Sequence, residues 1–155
     1  MTNQERGNAG PNVYITSDPH FYHANIMKHC GRTAFMTDDD KERYILAKAD
    51  ATGTLMHQFR PSEESVQRMN VGLVANINKK VGRDDILWCL GDWSMIPKHK
   101  KYYDAYYNRC REVRDWIQCR KIYFIWGNHD DNDGVRLIAD LFEKCYDQTQ
   151  QRFGN

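Results

Sequence analysis

The sequence predicts an α/β fold, and three observations carry that prediction. Short apolar runs alternate with segments of helical periodicity, the runs are rich in β-branched and aromatic residues, and two of them stop at a glycine. The first run is Val13-Tyr14-Ile15-Thr16. The second, Ile86 to Leu90, is ended by Gly91, and the third, Ile122 to Trp126, is ended by Gly127. Each is apolar almost without interruption, the pattern of strands covered on both faces in a mainly parallel sheet.

Helices are expected in the intervals. Ser62, after Pro61, is placed to cap a helix, with Glu63 and Glu64 in the first turn, where the helix dipole favours acids. Val66, Met69, Leu73 and Ile77 then form one apolar stripe, and Gly82 is expected to end the helix. A second helix is expected from about Lys101 to Ile117, with Tyr106, Cys110, Val113 and Ile117 along one face. A third is expected after Gly134, using Val135, Ile138, Leu141 and Phe142. Residues 1–11 are polar and read as a flexible tail. Residues 12–155 read as a single domain, because 155 residues allow one sizeable core. An inserted excursion around 33–60 is polar, carries Asp38-Asp39-Asp40 and holds a short helix near Tyr44 to Lys48.

Composition singles out no special class of partner, and nucleic acid stays possible with weak support. A formal net charge of +1, with 28% charged and 41% hydrophobic residues, is ordinary for a globular protein. It argues for neither a nucleic-acid binder nor a membrane-surface protein. No apolar run is long enough to span a bilayer, and the amino terminus lacks the apolar stretch of a secretory signal. Five scattered cysteines without a Cys-x-x-Cys pair read as free thiols, so a reducing, cytoplasmic setting is expected.

Chemistry collects at the ends of the three strands. The first is followed by Asp18-Pro19-His20, the second by Gly91-Asp92 and the third by Gly127-Asn128-His129-Asp130. In open α/β sheets ligands bind outside the carboxyl ends of the strands, so three such loops can converge on one site however far apart they lie in sequence. Carboxylate, imidazole and amide carbonyl together suit divalent ions such as manganese, iron, zinc or cobalt. A single Gly-Asp is a common turn, and asparagine and aspartate favour turns in general. Three coincidences at three strand ends outweigh that plainer reading.

These motifs, in this order, resemble the signature of the calcineurin-like metallophosphoesterases. The stretch Asp18-Pro19-His20-Phe21-Tyr22-His23-Ala24-Asn25-Ile26 is similar to the opening of their small bacterial and phage members, as is Asn76-Ile77-Asn78 before the second strand. The resemblance covers about Asn12 to Asp147 apart from the excursion. It implies a sandwich of two β-sheets flanked by helices, and hydrolysis of phosphate mono- or diesters at two divalent metal ions. Asp18 and His20 would bind the first ion, Asp92 would bridge both, and Asn128 would bind the second and touch the phosphate. His129 would act as general acid on the leaving oxygen, with Asp130 orienting it by a hydrogen bond. The implied reaction is an in-line attack by a hydroxide bridging the metals, without a covalent enzyme intermediate.

One departure stands against the match. The family pattern supplies three further histidines downstream, whereas the last histidine here is His129. Five of eight expected metal or acid positions are therefore present. A fragment of a longer chain is the expected explanation, with a short protein completed by a second copy or another polypeptide as the alternative. One face of the sheet carrying Val13, Leu87 and Phe124 is expected to lack a partner. If the site is degenerate, the chain would be a non-catalytic module binding metal or phosphate.

The remaining polar residues divide less sharply. His23 and Asn25 either line the pocket and touch substrate or cap the helix that follows. His29, His57 and His99 have no motif context and are expected at the surface, and Trp93 either shapes the cleft or belongs to the core. The basic residues between Lys98 and Arg114, interleaved with Tyr102, Tyr103, Tyr106 and Tyr107, fit the solvated side of an amphipathic helix better than a nucleic-acid surface.

Overall fold

A computed structural model describes residues 10–147. The polar tail expected over 1–11 lies almost wholly outside the described residues. Strands β1 (Val13–Thr16), β2 (Ile86–Leu90), β3 (Lys121–Ile125) and β4 (Lys144–Tyr146) form one sheet in the order β1-β2-β3-β4, with every pair parallel. Helices α1 (Ala24–His29), α2 (Asp38–Ala49), α3 (Thr54–Gln58) and α4 (Glu63–Lys80) lie between β1 and β2, and α5 (Tyr103–Trp116) between β2 and β3. The chain is thus α/β, with a four-stranded parallel sheet flanked by helices.

Strand order explains how the sheet is covered. Parallel crossovers are almost always right-handed, so strands added one after another in the same direction send their crossovers to the same side. The main core accordingly draws on one face: Leu87, Cys89, Ile122 and Phe124 pack with Val74 of α4 and Cys110 and Val113 of α5. Full burial of each large apolar side chain there stabilises the fold by about 1.5–3 kcal/mol. The opposite face carries Val13, Ile15, Trp88, Leu90, Tyr123 and Ile125 in register, and neither packed apolar cluster includes any of them. Ile15 is 58% exposed and Leu90 43%. Trp88 is sheltered by stacking on Tyr123 and Tyr146. Coverage of both faces, expected from the apolar runs, is therefore not found among the described residues. Leu87 and Phe124 also lie on the covered face, not with Val13 on the open one.

The elements form for local reasons. The Ser62 hydroxyl accepts a bond from the Ser65 N–H at the start of α4, as the sequence predicts. That helix ends without help from Gly82: the Val81 N–H closes the last turn on the Ile77 carbonyl, and the Gly82 N–H donates to Asp85. The expected second helix is present as α5, preceded by a 3₁₀ turn at Lys100–Tyr102. The third is not. After a turn at Asp131–Gly134 the chain makes only a 3₁₀ turn at Ala139–Leu141 and then enters β4. So few residues separate the turn from the strand that its apolar side chains are inserted singly, Ile138 buried and Phe142 stacked on Phe124 at 4.4 Å.

Segment 33–60 forms α2 and α3, and the helix expected near Tyr44 to Lys48 begins earlier, at Asp38. Its apolar residues Met36, Tyr44, Ala47 and Phe59 join Met27, Val66 and Met69 in a second cluster. Helix α2 also carries the fully buried Asp40 carboxylate. It accepts from the Ser62 N–H, the Ser62 and Ser65 hydroxyls and the Arg43 guanidinium. No helix among the described residues is long and apolar enough to cross a membrane, and all five cysteines are free.

Candidate metal centre

All strands run the same way, so the loops leaving β1, β2 and β3 emerge at one edge of the sheet. They are tied directly to one another. The Asp18 N–H donates to the Gly91 carbonyl at 3.2 Å, that of His20 to Asp92 at 2.9 Å and that of Phe21 to Trp93 at 2.8 Å. The Ser94 hydroxyl donates to the Phe21 carbonyl at 2.6 Å. The third loop approaches so closely that a side chain on Gly127 would land on the Asp92 Oδ1 and backbone nitrogen. The backbone is bent hard to achieve this. Asp18, His20, Tyr22 and Asp92 all have positive φ, between 49° and 60°, at a cost of order 1–3 kcal/mol each for non-glycine residues.

Asp18, His20 and Asp92 each offer one ligand atom such that all three lie within 4.8 Å of one another. His20 and Asp92 are buried and Asp18 is exposed. His20 Nε2 stands 3.6 Å from Asp92 Oδ2, too long for a hydrogen bond and open to a cation between them. His20 Nδ1 is buried without a partner, and burial holds the imidazole below its ordinary pKa despite Asp92. Two carboxylates and a neutral imidazole are a donor set that fits a divalent ion. Asn128 is exposed at the same edge, next to Gly127.

His129 comes to the same place, its ring centroid 5.3 Å from that of His20, while its backbone N–H donates to Asp92 Oδ1 at 3.0 Å. His23 completes a triangle of imidazoles, 5.5 Å from His20 and 6.4 Å from His129. Burial, and then the neighbouring His20, hold His23 down to about 4. It occupies the N-cap position of α1, but its side chain makes no capping bond there. The side-chain oxygen of Asn25 is buried without a partner. His29, His57 and His99 are exposed, as expected, and Trp93 belongs to the core.

Asp130 has a different task from the one expected. Its fully buried carboxylate accepts from the backbone N–H groups of Asp92 at 2.7 Å, Trp93 at 2.9 Å and Gly127 at 3.0 Å. It therefore clamps the second loop to the third instead of orienting the His129 ring. Burial raises its pKa to about 6 although those N–H groups favour the charged form.

Sequence reasoning missed Arg32. Its guanidinium donates to the Pro19 carbonyl at 2.7 Å and the Asp18 carbonyl at 2.8 Å, holding the first loop from outside. Asn70 of α4 accepts from the Tyr22 N–H at 3.0 Å and fixes the same loop further on. A cavity of about 840 Å³ opens beside the cluster, with His23, Asn128 and His129 in its wall.

No protein-family model matches the chain. It is 30% identical over 118 residues to the uncharacterized protein MJ1445 of Methanocaldococcus jannaschii, a match spanning 76% of this chain and 46% of that protein. Among solved structures it is similar to the protein of unknown function AQ665 from Aquifex aeolicus. There the TM-score is 0.47 and the identity 18%, over 87% of this chain and 50% of the other. The chain thus spans about half the length of the relatives it matches.

Proposed function

We propose that this chain carries the metal site of a hydrolase of phosphate mono- or diesters, of the calcineurin-like metallophosphoesterase kind. The observation that carries the reading is the convergence of Asp18, His20 and Asp92 donor atoms within 4.8 Å at the edge where three strand-end loops meet. On this reading Asp18 and His20 would hold one divalent ion of the manganese, iron, zinc or cobalt type, Asn128 would hold a second, and Asp92 would contribute to both. When bound, such ions supply charge neutralisation at a phosphoryl group and an acidic water.

The chain's own groups do the rest. His129 delivers a proton to the departing alkoxide oxygen as general acid. His23 and Asn25 flank the phosphate. Asp130 fixes the spacing between the Asp92 and Asn128 loops. The open sheet face would be the seam of a two-sheet sandwich, and a reducing cytoplasm is the proposed setting.

The test is turnover and stoichiometry together. With added manganese, the protein should cleave bis(p-nitrophenyl) phosphate, and Asp92→Asn should lower that rate at least a hundredfold. Calorimetric titration should count two ions per chain. A second reading, a non-catalytic module binding one ion or a phosphate, is favoured by how few donors the second ion would have here, Asp92 and Asn128. One ion per chain without turnover would decide for it, and no metal binding at all would overturn the hydrolase.

A further inference from the structure

The cavity beside the cluster is far larger than a phosphate group requires, and its wall has two kinds of surface. One end is His23, Asn128 and His129. The wall's apolar and aromatic part is formed by Tyr22, Ile96, Pro97 and the half-exposed Tyr102, while Ser94, Asn132 and Asp131, whose carboxylate is paired with Arg136, add polar edges. Two cations, Lys98 and Arg109, stand in the same wall. Neither is in an ion pair with a carboxylate among the described residues, and Arg109 lies over the ring of Tyr22 at 5.4 Å. Tyr106, also in the wall, has a buried hydroxyl with no nitrogen or oxygen partner, only the weakly bonding Cys110 thiol nearby.

A ligand matched to that wall has a flat aromatic part with polar edges, joined to a phosphate. We infer that this cavity is a nucleotide subsite, taking the nucleoside part of a phosphate ester whose phosphorus sits at the metal cluster. The inference rests on the phosphoesterase reading for the reacting end. The aromatic base would lie against Tyr102, as bases do on exposed aromatic side chains. Arg109 and Lys98 would meet phosphate oxygens beyond the scissile one. A bare alkyl phosphate would leave the apolar wall wet and the cations unused, so the structure favours nucleotides over small phosphomonoesters.

The test compares adenosine 5′-monophosphate with ribose 5-phosphate, which shares the charge and sugar but lacks the base. Both are titrated calorimetrically into the full chain, with and without manganese. The nucleotide should bind about tenfold more tightly, the worth of roughly one base–aromatic stack. In Tyr102→Ala, an exposed position, that preference should shrink at least fivefold, whereas Arg109→Ala should weaken adenosine 5′-diphosphate more than the monophosphate. Equal affinity of the two ligands would overturn the subsite, as would a preference that survives Tyr102→Ala. If the preference holds but no phosphodiester is cleaved with manganese, the hydrolase reading falls and the nucleotide-binding cavity stands.

Discussion

Single residues decide whether the three loops meet. Gly127 is required because any side chain there would occupy the place of Asp92. Gly127→Ala should lower stability by about 1–3 kcal/mol, the range for overpacking. It should also weaken manganese binding at least tenfold, read by urea denaturation and calorimetry. On the proposed reading, Arg32→Leu should weaken manganese binding while leaving every side-chain donor in place, because the Asp18 and Pro19 carbonyls lose the guanidinium that holds them. The difference between these positions is a lesson in legibility. Asp18, His20, Asp92 and His129 could be picked out because residues of their kinds directly follow strand-like runs. Arg32 could not, since it acts on backbone carbonyls, which every residue possesses, across a turn that no local pattern announces. Asp130 also follows a strand-like run, but its partners are backbone N–H groups, equally silent in sequence.

At the scale of elements, strands and capped helices were readable because their signals are local. Ser62 caps α4 where a serine before two glutamates says it should. The segment after Gly134 has the apolar spacing of a helix yet forms none, because such spacing does not reveal how soon the next strand must begin. Helix α2 depends on a buried charge. Asp40→Ala would strand the hydroxyls of Ser62 and Ser65 and should cost about 1–3 kcal/mol, visible in the denaturation midpoint. Burial alone would raise the pKa of Asp40, but the bonds from Ser62 and Ser65 and the nearby Arg43 bring it below its ordinary 3.8. A lowered folded pKa gives stability that is fully present above 3.8 and lost as pH falls through the folded value. Wild-type stability should therefore drop more steeply below pH 4 than that of Asp40→Ala, whose folded state has no such carboxylate to protonate.

For the whole molecule, the consequence of adding strands in order is one dry face and one open face. The apolar runs foretold buried strands on both sides because composition reports what a strand can pack against, and says nothing of which side its crossover takes. The open face should bind an apolar fluorescent dye. Ile15→Lys, on the edge strand, should reduce that fluorescence while leaving the thermal midpoint nearly unchanged, since exposed substitutions usually shift stability by no more than about 0.5 kcal/mol.

The partner of β1 also sets the tempo of assembly. Asn12 and Asp85, joined by a hydrogen bond at 3.0 Å, are 73 positions apart, so the first strand can dock only after a long intervening stretch has been gathered in, a slow and entropically costly closure. β1 should therefore dock late in refolding, which pulsed hydrogen exchange would show as late protection of its amides. Asp18 and His20 travel with it, and a cation gripping them together with Asp92 would latch that last strand in place.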